Sequence, residues 1–310
     1  MTEKGRGESL ARTRRALTRV GQRIGGRLGS LLLLVFLLMA LFGPSLAPGD
    51  PLEQSLAHQL QEPGPRHWLG TDEFGRDVLS RLLHGTRISL FIGLISVLIG
   101  VGVGGTLGLV TGYFGGWIDQ IGMRLMDVML AFPSILLAVI VVAVLGPSLA
   151  NAMIAVGVVG VPHYARIVRA SVLAVREMPF VEAERAVGAP DGRILRRTIL
   201  PHCTAPVLVQ ASLGLATAIL DAAGLSFLGL GAQPPTPEWG AMLGQGRAYV
   251  IHAPWVLAAP GAAILLTVLG FNLVGDSLRD ALDPRLAATF RDDASRAVPG
   301  RKRSPNRDTT

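Results

Sequence analysis

Six long apolar runs constrain this chain more than any other feature of its sequence. A helix that crosses a bilayer needs roughly 20 apolar residues, and each run reaches that length. Half of the 310 residues are hydrophobic and only 16% are charged, against about 25% in soluble domains. The sequence therefore predicts an all-α polytopic membrane protein with six transmembrane helices. The runs fall at 28–47, 88–111, 126–145, 149–169, 204–230 and 255–275.

The charges between the runs predict the topology. Residues 1–29 carry eight Lys or Arg against two Glu, and residues 163–203 carry seven Arg against four acids. Residues 48–87 carry four Arg against six acids. Because Lys and Arg concentrate on the cytoplasmic side of membrane proteins, we expect both termini and the 170–203 block in the cytoplasm. The net charge of +7 then reports topology, and we expect contact with membrane lipid and none with nucleic acid.

The predicted spans divide the chain into five parts. Pro48, directly after a small-residue site, disfavours cleavage of the first run as a signal peptide. The second run is rich in glycine at small-xxx-small spacing, which predicts close packing inside a helix bundle. The parts are a basic cytoplasmic tail (1–27), a first transmembrane helix (28–48), an external segment (49–87), a core of five transmembrane helices (88–275) and a cytoplasmic C-terminal tail (276–310).

The external segment contains a second helical pattern. Thr71 or Asp72 can cap a helix there, and Gly85 can end it. We expect this amphipathic helix to lie at the membrane interface. The apolar residues that share one side of it are Phe74, Val78, Leu79, Leu82 and Leu83.

A polar block, PFVEAERAVGAPDGRILRRTILP, occupies residues 179–201 between two apolar runs. Pro179 suits the first turn of a helix, and acidic residues suit its positive end. We expect the apolar face of this helix to comprise Phe180, Ala183, Ala186 and Val187. Gly188 is the natural residue for a left-handed C-cap.

The block continues with a second helical pattern. Asp191 can cap a helix from Gly192 to Leu200, with Pro201 at its end. Its predicted apolar face holds Ile194, Leu195, Thr198 and Ile199, opposite Arg193, Arg196 and Arg197. Two short cytoplasmic helices joined by a glycine turn either lie on lipid headgroups or dock into another protein.

The block resembles the EAA signature of ABC importer permeases, E-A-A-x3-G-x9-I-x-L-P. Glu182-Ala183 begins the match, Gly188 takes the glycine position, and Ile199, Leu200 and Pro201 end it. Glu184 stands where a second alanine is usual, which adds charge to the face expected to dock, and Thr198 stands where isoleucine is usual. The resemblance implies that the residues coupling the chain to an ATPase are Glu182, Ala183, Glu184, Gly188, Asp191, Arg193, Ile194, Ile199, Leu200 and Pro201.

Four further stretches, at 67–90, 127–139, 221–231 and 271–285, resemble the C-type permease subunit of the dipeptide, oligopeptide and nickel importers. This resemblance implies the type I ABC importer permease fold and a place in the bacterial inner membrane. The implied partners are a B-type permease in a heterodimer, two ATPase subunits and an extracytoplasmic solute-binding protein. Dipeptides or oligopeptides are the leading cargo, and nickel or another small solute is the alternative.

The sequence offers no sign of chemistry of its own. It contains no G-x4-G-K-[ST] phosphate loop, and its lysines are Lys4 and Lys302 alone. No two of its six histidines have the spacing of metal ligands. We therefore expect a transport subunit that is not an enzyme, without catalytic, metal or cofactor sites, whose partner ATPases bind ATP and Mg²⁺.

Two acidic residues fall within the predicted spans. Ionisable groups in a bilayer are rare and usually face the bundle interior or a water-filled route. Asp221 either lines the substrate pathway, where it meets a peptide amino terminus or a metal complex, or pairs with a neighbouring helix. For Asp127 we expect a structural role at a helix end, and for His163 a packing or hydrogen-bonding role. An ion-coupled secondary transporter that uses both aspartates is the alternative from another class.

Overall fold

The computed structural model describes residues 24–282. Within that range the chain is helical apart from its loops and a single isolated bridge between Thr71 and Asp77. Two short 3-10 turns, Leu56–His58 and Arg247–Tyr249, lie in the loops. The helices are α1 (Ile24–Leu46), α2 (Val78–Phe114), α3 (Gly116–Leu130), α4 (Ser134–Leu145), α5 (Leu149–Arg176), α6 (Pro179–Ala186), α7 (Asp191–Phe227), α8 (Trp239–Gly246) and α9 (Trp255–Leu282).

Five of these helices are long and apolar enough to cross a membrane: α1, α2, α5, α7 and α9. A sixth candidate span is the pair α3 and α4, which are bent by 98° at the break between them. This confirms the all-α fold class, but the single helix expected at 126–145 is wrong. Pro133 explains the break, because proline has no N–H to give a helix and disfavours helical geometry in the residue before it.

Helices α2 and α5 form the centre of the bundle. They pack along a row of glycines on α2, where a Cβ at Gly104 or Gly108 would collide with the carbonyl oxygens of Val161 and Ala165 on α5. Such contact requires residues without a side chain. The close packing predicted for the second span is therefore confirmed. Buried residues of α2, α4, α5 and α7 form the largest apolar cluster beside this contact.

Helix α1 lies against the outside of this bundle. A Cβ at Gly29 would lie 2.9 Å from the carbonyl oxygen of Gly270 on α9, and Gly43 sits against Leu83 of α2. Much of the remaining surface of α1 is exposed and apolar, as expected of a helix that faces lipid. Within the described residues the helix already includes Ile24, four residues before the predicted start. Most of the predicted 1–27 and 276–310 tails lies outside the described residues.

The interfacial helix expected in the external segment is wrong. The helix begins at Val78, where the Asp77 carboxylate accepts the Ser80 N–H at 2.7 Å, and it continues through Gly85 into the second span. Val78 and Leu82 are buried beside Trp239. An amphipathic pattern indicates only that one face of a helix is buried. Here the apolar face is buried against other helices of the protein and not against lipid.

Helix α8 closes this end of the bundle. Glu238 caps it by accepting the N–H groups of Gly240 at 2.9 Å and Ala241 at 2.8 Å, and it also accepts the Ser89 hydroxyl of α2. Burial raises the pKa of the Glu238 carboxyl, and these hydrogen bonds oppose the shift. The capped helix packs against α2 and α7 at this end of the bundle.

Candidate coupling segment and pathway cavity

The coupling segment, residues 179–201, begins with a helix that has the predicted ends. Pro179 occupies the first turn of α6, and Gly188 has a φ of 78°, the left-handed conformation predicted for it. The predicted apolar face lies on the outer surface of the segment. Val181 is the buried residue of α6, whereas Phe180 is 42% exposed and Val187 82% exposed.

The second part of the segment is the start of a transmembrane helix. Helix α7 begins at Asp191 and runs 37 residues to Phe227, so the end predicted at Pro201 is wrong. A π-helical turn, Leu195–Ile199, precedes the proline, and the Leu200 N–H bonds to the Leu195 carbonyl. This wider turn accommodates a residue that cannot donate a backbone hydrogen bond.

Asp191 does not cap the second helix as predicted. It accepts no helix-capping hydrogen bond, and Pro190 holds the N-cap position. Its carboxylate instead accepts the Tyr113 hydroxyl at 2.5 Å. Tyr113 lies at the end of α2, and the Arg185 guanidinium stacks over its ring at 5.3 Å. The segment is therefore bonded to the bundle core through α2.

The predicted division of the second helix into two faces is confirmed. Ile194, Thr198 and Ile199 are buried, and the two isoleucines join Val181 in one apolar cluster with Val172 of α5. Arg193, Arg196 and Arg197 on the opposite face are exposed.

Glu184 and Thr198 contact each other across the turn. The Thr198 hydroxyl lies 2.9 Å from Oε1 and 2.8 Å from Oε2 of the Glu184 carboxylate. Glu184 is half-buried, so its charge points toward the second helix, and its expected place on the docking face is wrong. A charge-assisted hydrogen bond of this kind is stronger than a neutral one and fixes the angle between the two helices.

The outer surface of the segment is mainly small and apolar. Met178, Phe180 and Val187 are exposed, as are Glu182 and Ala183. A Cβ at Gly188 would have no atom within 4 Å. Exposed apolar side chains around a glycine turn suit a protein groove.

Two ion pairs join α5 to α3 near this segment. Arg169 makes a two-point contact with Asp119 at 2.5 and 2.6 Å, and both side chains are partly buried. Arg166 contacts Asp127 at 2.5 Å, with both side chains about half exposed. Asp127 therefore contacts α5 in the structural manner expected of it. These pairs hold α5 against α3, the helix that leads into the bend before α4.

A cavity of about 240 Å³ lies between α2, α4, α5 and α7. We call it the pathway cavity. Asp221 lines it, and within residues 24–282 its carboxylate has no hydrogen-bond or ion-pair partner. The neighbouring helices thus give no support for the pairing role considered for Asp221. The other polar side chains lining the cavity are Ser96, Ser134, His163, Tyr164, Gln210 and Thr217.

Sequence reasoning missed most of these residues. His163, for which a packing or hydrogen-bonding role was expected, is exposed at the cavity and not packed in the core. Gln210, Thr217 and Asp221 are seven and four residues apart, which places them on one face of α7. This polar stripe in an apolar span is visible in the sequence and could have predicted a polar cavity. Polar groups at mid-membrane depth face a partner or water, because lipid leaves them unsatisfied.

Comparison with known proteins decides the family. The family described as "Binding-protein-dependent transport system inner membrane component" matches residues 104–288, more than half of the chain. The chain belongs to this family. Residues 13–63 of the permease also match the "N-terminal TM domain of oligopeptide transport permease C".

Individual relatives of the permease agree. The dipeptide transport system permease protein DppC of Alkalihalophilus pseudofirmus is 51% identical over 251 residues, which cover 81% of this chain and 83% of the relative. The glutathione transport system permease protein GsiD of Pectobacterium atrosepticum is 49% identical over 257 residues, 83% of this chain and 85% of the relative.

A solved structure shares the fold of the permease. It is the MetNI methionine ABC transporter in an inward-facing conformation, with a TM-score of 0.53 and 22% identity over 66% of this chain and 97% of that chain. This chain is accordingly a multi-pass membrane permease with the ABC importer fold. Such a permease is a transport subunit that works with a partner permease and ATPase components.

Proposed function

We propose that this permease forms half of an ATP-driven import pathway for dipeptides or oligopeptides. Relatives that share about half of its residues are named as dipeptide and glutathione permeases, and glutathione is itself a small peptide. In this proposal the other half is a B-type permease, two ATPase subunits bind ATP and Mg²⁺, and an extracytoplasmic solute-binding protein delivers the peptide. Both termini and the coupling segment face the cytoplasm.

One observation carries the coupling mechanism: α7 contains both the end of the coupling segment and the stripe of the pathway cavity. Asp191 and Asp221 are 30 residues apart on this continuous helix, a distance of about 45 Å. A tilt imposed at one end of this helix moves its other end, because the chain stays helical from the docking surface to the cavity. The π-turn and the prolines of α7 are the places where the helix can bend.

The segment residues divide into two roles in this mechanism. Glu182, Ala183 and Gly188 are exposed and contact the ATPase. Arg193 lies at the edge of this contact surface, and Leu200, which is 45% exposed, lies on its membrane side. The residues that hold the segment on the bundle are Glu184, Asp191, Ile194 and Ile199, and Pro201 keeps the π-turn in place.

The cycle follows from these connections. ATP binding closes the two ATPases, and the coupling segments docked in them move together. Helices α5 and α7 move with the segment, and the pathway cavity changes from inward- to outward-facing. The states interconvert because ATP and the loaded receptor bind them with different affinity. The partner permease covers the polar side of the cavity, which cannot face lipid.

Reconstitution tests this function. The permease is purified with a B-type permease and two ATPase subunits from the same organism and placed in liposomes that contain ATP and Mg²⁺. Receptor loaded with radiolabelled dialanine is added outside. We expect uptake that needs hydrolysable ATP and receptor and survives proton and sodium ionophores. Uptake that follows an ion gradient without ATP would establish the ion-coupled transporter instead.

A further inference from the structure

The side chains that line the pathway cavity carry a net negative charge. Among the residues of 24–282 that line it, Asp221 is the only acidic one, and none is Lys or Arg. The remaining polar groups are hydroxyl, amide and imidazole groups. At this membrane depth the cavity therefore attracts cations, and the low dielectric of the surroundings strengthens the attraction.

The Asp221 carboxylate is free to bind a group from another molecule. It is half-buried and lacks a hydrogen-bond or ion-pair partner within residues 24–282. Burying an unpaired carboxylate is costly, and an ionisable residue inside a span usually marks a substrate or ion route. Asp221 lies six residues before the end of α7 at Phe227, about 9 Å along the helix, at the end where a receptor would deliver cargo.

We propose that Asp221 binds the α-ammonium group of the peptide during translocation, and so makes a free amino terminus a requirement of the permease itself. This inference rests on the proposed peptide import. Thr217 lies one helical turn before Asp221 on the same face and offers a hydroxyl oxygen as a second acceptor. At about 240 Å³ the cavity falls just below the roughly 300–1,000 Å³ of small-ligand pockets, so it holds the amino-terminal end of a peptide and not the whole.

The first test measures transport. Complexes with Asp221→Asn, Asp221→Glu or Thr217→Val are reconstituted with saturating receptor preloaded with dialanine. Asp221→Asn should lower peptides transported per ATP hydrolysed on the order of tenfold, since it loses a charge contact in low dielectric. Receptor-stimulated hydrolysis should stay within about twofold, because the coupling segment is intact. Asp221→Glu should transport nearly as wild type, and Thr217→Val should show a smaller loss.

The second test measures the charge preference without receptor or peptide. Thr217→Cys is made in a Cys203→Ala background and treated with a cationic trimethylammonium-ethyl or an anionic sulfonatoethyl methanethiosulfonate reagent. The cationic reagent should react at least about tenfold faster, because Asp221 lies close by on the helix face. Adding Asp221→Asn should remove that preference.

The outcomes separate the two proposals. Absence of ATP-dependent dialanine uptake by the wild-type complex contradicts the proposed function. Wild-type uptake together with unchanged transport in Asp221→Asn contradicts the role of Asp221 alone. The role of Asp221 is also contradicted if the two reagents react with Thr217→Cys at equal rates or do not react at all. It is contradicted as well if Asp221→Asn prevents assembly of the complex, because Asp221 would then be a packing residue.

Discussion

The Thr198 hydroxyl donates a hydrogen bond to the Glu184 carboxylate, 2.8 Å from its nearer oxygen. These two residues are the positions at which the coupling segment departs from the usual alanine and isoleucine of the signature it resembles. The departures are therefore paired: a polar contact across the turn replaces an apolar one. Thr198 is 3% exposed, so its hydroxyl depends on this partner.

The pairing predicts compensation between the two sites. Glu184→Ala should destabilise the complex by about 1–3 kcal/mol, the cost of leaving a buried hydroxyl without its partner. Thr198→Ile alone should also destabilise it, because the added methylene and the carboxylate compete for one space. The double variant should recover most of the loss. Thermal unfolding of all four purified complexes measures the coupling energy, and strictly additive losses would show that the two residues act separately.

The ion pairs between α3 and α5 predict a contrast. Asp119→Asn removes a two-point, partly buried contact to Arg169 and should reduce both thermal stability and transport per ATP. Asp127→Asn removes an exposed pair, which contributes about 0–1 kcal/mol, and serves as the matched control. The exchange of Asp119→Arg with Arg169→Asp should restore part of the function. Equal effects of the two asparagine variants would mean that the Asp119 pair has no special role.

Close approach of α2 to α5 predicts a second contrast. Gly104→Val should prevent accumulation of folded permease, because its side chain would collide with the Val161 carbonyl of α5. Gly102→Val lies on the same helix, where a Cβ meets nothing within 4 Å, and should be tolerated. Fluorescence-detected size-exclusion of tagged variants reports folded permease. A normal profile for Gly104→Val would contradict the packing of these helices.

The proposed orientation is tested by labelling single cysteines in intact cells, in a Cys203→Ala background. Glu62→Cys and Ile251→Cys should react with a membrane-impermeant maleimide, because both positions are exposed and predicted to be external. Arg193→Cys should react only after the cells are opened. External labelling at Arg193 in sealed cells would reverse the assigned topology.

Sequence reasoning recovers the parts of this fold that depend on local physics. Apolar length identifies the spans, and the need for a left-handed residue identifies Gly188. It failed where a boundary depends on tertiary context. Pro201 would ordinarily end a helix, but the π-turn before it lets α7 continue, while Pro133 breaks a run that composition alone marks as one helix.

The candidate site shows the same limit. The bond between Glu184 and Thr198 spans 14 residues and a turn, so no periodicity reveals it. The cavity stripe on α7 was readable from spacing, but His163 joins it from α5 through packing of two helices. Residues contributed by separate helices meet only in the folded bundle.

The central claim is that residues 179–201 couple the membrane helices to the ATPases, and Gly188→Val tests it most directly. Valine at a φ of 78° is strained, and its side chain would project into the docking surface. Gly146→Val is the matched control, since Gly146 has a φ of 91° and equally open space but lies in the loop between α4 and α5.

Both variants are reconstituted, and ATPase co-purification and receptor-stimulated ATP hydrolysis are measured. We expect Gly188→Val to lose most of both while its spans still insert, and Gly146→Val to retain them. Wild-type levels of co-purification and hydrolysis in Gly188→Val would contradict the coupling role. They would favour the alternative that residues 179–201 lie on lipid headgroups.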